Sequence, residues 1–552
     1  MTWFRFTVDA TAPKPHRDRE SQESCPRPAS GGERREWPGG AGLRYRPDMP
    51  GIVIIGAGFG GIGMAIALKR AGFGDFVILE KSEDLGGTWH HNRYPGCACD
   101  VPSPLYSYSF ELNPSWSRVF APQQEIWDYL RMCARKYGVE EHIRYGRTVE
   151  RMDWDEGTRR WNIAASAIGG EGQPENYRAR AVVSAAGALH LPSYPDIPGA
   201  GRFGGASFHS AQWDKSPDLA GKRVAVIGTG ASAIQFIPEI AKRAGQLEVF
   251  QRTPPWVHPR PNVPIPAPVR ERFEAVPVTA RMSRDAIYLL MEARGLGFAV
   301  HPKLMAPLQQ MGRRQIERQI ADPGLRAAVT PDYTIGCKRI LLSSDYYPAL
   351  QRRNVDLITD DITGITETAV ITADGTAHEA DVIIYATGFK VVDSVPSLNV
   401  AGRDGRKLTP DTLEAYQGIT VAGFPNFFML LGPNTGTGHT SAVFMIESQI
   451  QHVMSCLRML ARNRADTIEV REAVLRHYNR GLQRRLRRAV WSAGGCRSWY
   501  LDAHGVNRAI WPGFSFEYWA RTRRARRSAY VVTPASTPAT PGVMAAAAGR
   551  EP

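Results

Sequence analysis

Two glycine turns carry the first chemistry that can be read in this chain of 552 residues. Gly56-Ala57-Gly58-Phe59-Gly60-Gly61 follows the apolar run Ile52–Ile55. In such a turn the first glycine permits a tight bend. The second lets a pyrophosphate approach the backbone, and the third lets helix pack on strand. Free N–H groups at the helix start then face the phosphates. Glu80 ends the next apolar run, 24 positions after Gly56. A carboxylate there accepts ribose hydroxyl hydrogens and repels a 2′-phosphate, which selects FAD or NAD over NADP. The second turn is Gly228-Thr229-Gly230-Ala231-Ser232-Ala233, after Arg223–Ile227. Its residue 24 positions on is Arg252, followed by Thr253. A guanidinium cannot accept from a ribose but pairs with a phosphate dianion, so this site reads as NADP(H). One acidic and one basic dinucleotide site together imply hydride transfer from NADPH to a bound flavin.

The elements that must position these turns alternate strand and helix. Ile52–Ile55, a helix over Met64–Ala71 and Phe76–Glu80 form one strand–helix–strand unit. Arg223–Ile227, a helix over Ala231–Ala244 and Leu247–Phe250 form another. Val382–Ala386 is a third short apolar run, closed by Thr387-Gly388 and expected to return the chain to the flavin. The pattern predicts an α/β fold with two Rossmann-like dinucleotide-binding domains. The interval of 172 between Gly56 and Gly228 predicts that the NADP domain is inserted in the FAD domain. The expected division is an FAD-binding domain over 49–194, an NADP-binding domain over 195–257, a helical insertion over 258–332, the rest of the NADP domain over 333–385, and the rest of the FAD domain over 386–528. Residues 1–48, rich in Pro, Gly, Arg and Ser, read as a disordered extension. Met49 stands just before the first strand and is a candidate start. Residues 529–552 read as a flexible tail.

Composition narrows the class. Apolar residues make up 43% and charged residues 22%, ordinary globular usage that excludes a mostly disordered chain. The net charge is +14, but only 11 of the 68 basic residues are Lys. Clusters at Arg484–Arg488 and Arg521–Arg527 fit solvated helix faces, and no nucleic-acid-binding motif accompanies them. No partner of that kind and no membrane is expected. Seven cysteines without a CxxC pair argue against a disulfide framework and against zinc. A reducing cytoplasm fits, and residues 1–50 hold no apolar signal-peptide core.

Cys97-Ala98-Cys99 is CxC, a poor geometry for an exchanging disulfide, so a reaction with O2 is favoured over disulfide reduction. Phe203-Gly204-Gly205-Ala206-Ser207-Phe208-His209-Ser210-Ala211-Gln212-Trp213-Asp214 matches FxGxxxHxxxW(D/P) at each fixed position. This resembles the fingerprint of the type I Baeyer–Villiger monooxygenases. Gly86-Gly87-Thr88-Trp89 and Tyr94-Pro95-Gly96…Asp100 carry a second signature of that family. The resemblance spans roughly residues 50–525.

What the resemblance implies is an FAD- and NADPH-dependent enzyme that converts a small-molecule ketone and O2 to an ester or lactone through a C4a-peroxyflavin. It places the family's catalytic arginine at Arg339, in Cys337-Lys338-Arg339-Ile340, with Lys338 adding a contact to the NADP 2′-phosphate. It sets Asp100 beside Arg339 near the flavin, and lets Trp89 and Tyr106 line it. Trp499 falls on a loop that contacts NADP. His209 takes a conformational role in an interdomain linker, not proton transfer. Gly432–Gly436 closes over the flavin, whereas Asn507-Arg508 and Trp511-Pro512-Gly513 have no account beyond turn chemistry. The alternative is a flavin monooxygenase acting on nitrogen or sulfur centres, which shares both dinucleotide folds.

Overall fold

The computed structural model describes residues 51–168, 174–496, 498–502 and 504–535. The expected extension over 1–48, Met49 and most of the expected tail lie outside these residues. Two five-stranded parallel sheets organise the rest. In the first, the strand order is Phe427–Met429, Ala181–Ser184, Ile52–Ile55, Phe76–Leu79, Ile143–Arg144. In the second it is Val355–Ile358, Gln246–Phe250, Arg223–Ile227, Val382–Tyr385, Ala206–His209. Runs such as Ile52–Ile55 and Val382–Tyr385 are apolar throughout because both faces are covered.

Each glycine turn follows the strand from which the order runs outward to both sides. Ile52–Ile55 pairs with Phe76–Leu79 on one side and Ala181–Ser184 on the other. Arg223–Ile227 sits likewise between Gln246–Phe250 and Val382–Tyr385. Such switch points open a crevice at the carboxyl ends of the strands. The helices after the turns run over Phe59–Arg70 and Ala233–Ile240, one beginning earlier than the sequence pattern predicts and the other shorter at both ends. Val382–Tyr385 belongs to the second sheet, so the chain returns to the flavin only after it.

Two antiparallel sheets were not legible in the sequence. One joins Arg147–Asp155, Arg160–Ala167 and Glu175–Ala179, with Val400–Ala401 at its edge. It buries Met152, Trp154, Trp161 and Ile163 against Val53, Val77 and Phe427 of the first parallel sheet. The other is a meander over Ile362–Ile365, Ala369–Thr372 and Ala377–Glu379.

The helical insertion is present as helices Ala267–Ala275, Pro277–Gly295, Ala306–Gln319 and Pro323–Ala328. A short parallel pairing of Val257 with Leu341 and His258 with Leu342 closes its base. Buried Arg284 donates to the Pro104 carbonyl at 2.7 Å and lies 3.7 Å from Glu447. Buried Glu292 accepts from the Ser515 N–H at 3.0 Å. These contacts tie Pro277–Gly295 to the flavin side of the molecule.

The expected tail starts too early. Tyr530–Pro534 is a strand paired antiparallel with Ala465–Val470. Its aromatic and β-branched residues suit a sheet, and Tyr530 is fully buried against His452. Of the arginine clusters, Arg485 pairs with Glu517 through two bonds of 2.8 and 2.7 Å, and Arg521 reaches the same carboxylate at 2.9 Å. Among the described residues no helix is long and apolar enough to cross a membrane.

Candidate active site

The two glycine turns are built alike. A Cβ on Gly56 would stand 2.7 Å from the Ala185 carbonyl oxygen, and one on Gly228 would stand 2.7 Å from that of Ala386. Both residues have positive φ, 96° and 107°, which glycine adopts without steric cost. A Cβ on Gly61 would meet the Gly56 carbonyl oxygen at 1.9 Å, so helix and strand touch there. Gly230 leaves open backbone, its nearest neighbour being the Ala386 carbonyl oxygen at 3.9 Å, whereas a Cβ on Gly58 would touch the Gly87 Cα at 3.5 Å.

Glu80 is 4% exposed. Its carboxylate accepts from the Ala57 N–H at 2.7 Å and from the Ser82 N–H at 2.9 Å. Those bonds fix the carboxylate at the glycine turn, with lone pairs left for a ribose. The second crevice has the opposite charge. Arg252 is exposed just past Gln246–Phe250, and the Thr253 carbonyl accepts from the Thr229 hydroxyl at 3.5 Å. Lys338 stands close enough to Arg252 to feel its charge. Its ammonium is pushed below its ordinary range, first by burial and then by Arg252. Asp332 offsets this only in part, and two cations brought this close suit a dianion. Lys338 also lies 5.0 Å from the centre of the Tyr333 ring. Both crevices therefore suit the groups expected of them, FAD at the first and NADP(H) at the second.

Arg339 and Asp100 meet between the two crevices, 239 residues apart in sequence. Nε donates to Oδ2 at 2.7 Å and Nη2 to Oδ1 at 2.7 Å, a bidentate pair. The pair lies deep in the molecule, yet the side chains keep 34% and 24% exposure, because they face a cleft. The Asp100 carboxylate raises the Arg339 pKa further, against the effect of burial. The guanidinium stays charged at every working pH. Lys338 links it to the NADP side. On the flavin side, the Trp89 indole donates to the Tyr106 hydroxyl at 3.3 Å, and burial raises the Tyr106 pKa. Gly86 and Gly87, which start the Trp89 helix Thr88–His91, pack directly on Gly58.

His209 ends the edge strand Ala206–His209 and is fully buried. Its Nδ1 accepts from the Ala211 N–H at 3.1 Å, and burial lowers its pKa to about 4. Its ring lies beside those of Tyr194 and Phe389, at 5.4 and 5.8 Å between centres. Trp499 is 49% exposed and packs on Tyr500 at 4.3 Å between ring centres.

Several residues escaped sequence reasoning. Gln235, on the helix after the second turn, accepts from the Ala98 N–H at 3.2 Å and donates to the Ala98 carbonyl at 3.0 Å. It also accepts from the Tyr94 hydroxyl at 3.1 Å. It thereby locks the Tyr94–Asp100 segment of one domain to the other. Arg260 donates to the Cys99 carbonyl at 2.9 Å, immediately before Asp100. Buried Tyr500 lies where the charges of Arg339 and Asp100 act on its hydroxyl. No spacing rule finds such partners. Asn507-Arg508 also gains an account, since the Asn434 N–H donates to the Arg508 carbonyl and the Asn434 side chain to the Asn507 carbonyl, both at 2.8 Å.

The cysteine expectation is overturned. Cys337 and Cys496 form a disulfide across 159 residues of chain. Counting spacings sees only pairs that are near in sequence, and this one is made by tertiary approach. Cys97 and Cys99 are buried free thiols.

The model of the family "Pyridine nucleotide-disulphide oxidoreductase" matches residues 53–287. The chain is 48% identical to a Baeyer-Villiger monooxygenase of Pseudomonas aeruginosa over 87% of its own length and 91% of the relative. It is 45% identical to one of Streptomyces coelicolor over 90% and 95%. Among solved structures, an OTEMO complex with FAD and NADP matches with a TM-score of 0.79 at 27% identity, covering 88% of this chain and 99% of that one. An oxidised steroid monooxygenase bound to NADP matches with 0.77 at 29%, covering 88% and 100%. With that identity over nine-tenths of each relative, the chain belongs to the Baeyer–Villiger monooxygenases, FAD- and NADPH-dependent flavoproteins that use O2.

Proposed function

We propose that Arg339 is the catalytic cation of a ketone-to-ester oxidation and that Asp100 orients it. The observation that carries this reading is the bidentate pair facing the cleft between two dinucleotide crevices of opposite charge. Gly56, Gly58 and Gly61 would receive the FAD pyrophosphate, and Glu80 its ribose. Trp89 and Tyr106 would line the ring system. Gly228 and Gly230 would receive the NADPH pyrophosphate, and Arg252, Thr253 and Lys338 its 2′-phosphate. Trp499 would cover the nicotinamide side. What FAD and NADPH supply there is two electrons that activate O2, one atom entering beside the ketone carbonyl and the other leaving as water.

The chain's own contribution is electrostatic. Arg339 holds negative charge on the reacting oxygen, then on the former carbonyl oxygen of the ketone. In a cleft screened from bulk water a fixed guanidinium does this without reorganisation. Asp100 supplies a second constraint: both of its oxygens fix the plane of the guanidinium. Neutral His209 moves no proton in this scheme. It supports the strand beside the linker, so that linker motion can reshape the NADP crevice. NADPH supply favours a cytoplasmic setting.

Arg339→Ala tests the assignment. NADPH should still bleach the flavin at a near-normal rate, because hydride transfer needs no cation for oxygen. Ester formation should fall by about 10²–10³-fold, with hydrogen peroxide released instead. Ordinary ester yield in that variant would remove Arg339 from the mechanism. A panel of cyclic ketones and sulfides with the unmodified enzyme tests the reaction class: ester or lactone is expected, and sulfoxide alone would overturn it.

A further inference from the structure

We propose that Cys337 and Cys496 form a reversible thiol–disulfide site, oxidised by peroxide and reduced by a dithiol, whose state sets how firmly the 494–500 loop is held against the turn bearing Lys338 and Arg339. The bond joins two functional segments directly. Cys337 precedes Lys338 and Arg339 in sequence, and Cys496 lies three residues before Trp499 and four before Tyr500. The proposal rests on the roles assigned above to Arg339 and Trp499.

The surroundings show what the bond holds. A Cβ on Gly494 would come within 2.6 Å of the Cys337 Cβ, so the loop lies flat on that residue. The Thr334 N–H donates to the Gly494 carbonyl at 3.0 Å. Beyond this, the described residues of 495–499 form no helix or strand, and Trp499 is half exposed. The next anchor is buried Tyr500, whose carbonyl accepts from the Arg508 N–H at 3.2 Å, so the disulfide is the covalent tie between this loop and the turn bearing Lys338 and Arg339. Access is one-sided: Cys337 is buried, whereas Cys496 is partly exposed behind exposed Gly495. The other described cysteines offer no competing reaction. Cys97, Cys99, Cys133 and Cys456 are buried, and burial pushes the thiols of Cys97, Cys133 and Cys456 up to about 12. They stay protonated and poorly nucleophilic.

The exchange balances. In oxidation the two thiols lose two protons and two electrons to hydrogen peroxide, the S–S bond forms, the O–O bond breaks, and two waters leave. Peroxide arises whenever O2 oxidises NADPH without ester being made (NADPH, H+ and O2 give NADP+ and H2O2). In reduction a thiolate of an external dithiol attacks the Sγ of Cys496, the partly exposed partner, and Cys337 leaves as thiolate and takes a proton. The second thiol of the reductant then resolves the mixed disulfide. Leaked peroxide would thus close the bond, hold the loop over the NADP crevice and reduce further leakage.

The test uses the full-length holoenzyme with FAD bound, kept anaerobic with or without excess dithiothreitol, then alkylated and mapped by mass spectrometry. Cys337 and Cys496 should become alkylated only after reduction. Amide hydrogen exchange over residues 494–502 should then quicken about tenfold, while the strand Ile52–Ile55 stays unchanged. On return to air, peroxide released per NADPH should rise. Cys496→Ser should behave like reduced enzyme and ignore dithiothreitol. Failure to alkylate the pair in folded enzyme, unchanged exchange over the loop after reduction, or a dithiothreitol response that persists in Cys496→Ser would each overturn the proposal. If Cys496→Ser does not fold, the two arms on unmodified enzyme decide. Exchange and alkylation need no ketone, so a loss of the ester reading and a loss of this one are told apart.

Discussion

Around Arg339, charge is arranged by small numbers of contacts with large consequences. A lone buried guanidinium would be expensive, and Asp100 removes that cost with two short bonds while leaving one face toward the cleft. Arg252 and Lys338 show the reverse arrangement, two cations kept close with burial and mutual repulsion lowering the Lys338 pKa. A dianion relieves that repulsion. Arg252→Ala should therefore weaken NADPH by about tenfold, since a charge-assisted contact is lost, and leave NADH almost unaffected. Titrating each coenzyme against flavin reduction checks this, and equal losses would reject the 2′-phosphate role. Glu80 and the glycines were legible at this scale because their register with a strand is short and local. Gln235, Arg260 and Tyr500 were not, because each acts on a segment distant in sequence.

The helix that follows each glycine turn is where element geometry meets ligand binding. Gly61 lies against the Gly56 carbonyl, whereas a Cβ on Gly230 would have open space, its nearest neighbour being the Ala386 carbonyl oxygen at 3.9 Å. The two should respond differently to the same change. Gly61→Ala forces the helix Phe59–Arg70 off its strand and should yield protein that retains little flavin, read from the visible absorbance of the purified enzyme. Gly230→Ala meets no protein atom at close range. It should fold and keep its FAD, yet bind NADPH more weakly because a methyl group now faces the pyrophosphate. A yellow Gly61→Ala enzyme would show that the close packing is dispensable. Five of the ten strands of the two parallel sheets, Ile52–Ile55, Phe76–Leu79, Arg223–Ile227, Gln246–Phe250 and Val382–Tyr385, were predictable from their apolar runs. The antiparallel sheet of Arg147–Asp155, Arg160–Ala167 and Glu175–Ala179 was not, since one face packs and the polar residues between give each strand a weak local signal.

Across the whole molecule, buried histidines set a limit on acid tolerance. His209, His258 and His452 are buried, and burial lowers each pKa from 6.5 to about 4. His452 is held as a neutral ring, with Nδ1 3.1 Å from the Thr522 carbonyl and Nε2 2.6 Å from the Tyr530 hydroxyl. Between pH 6.5 and 4 the unfolded chain binds protons that the folded one refuses, so stability falls as pH falls through that window. Each group costs about 3 kcal/mol once pH drops below 4. Urea midpoints should decline steadily from pH 6.5 to 4.5, above the range in which most carboxylates titrate. A flat profile down to pH 5 would contradict the buried neutral histidines.

The sequence alone determined the two dinucleotide crevices, their opposite charges, the inserted helical segment and the family fingerprint around His209. Those features rest on short-range rules, a turn and the residue that ends the following strand. Tertiary structure decided everything that depends on approach between distant segments. It gave the bidentate geometry to the Asp100–Arg339 pair that the family resemblance led us to expect, set Gln235 between domains, paired Tyr530–Pro534 with Ala465–Val470, and bonded Cys337 to Cys496 where cysteine spacing had argued against a disulfide framework. Periodicity and spacing report local geometry, whereas these contacts arise only once the sheets have folded and brought their loops to a common cleft.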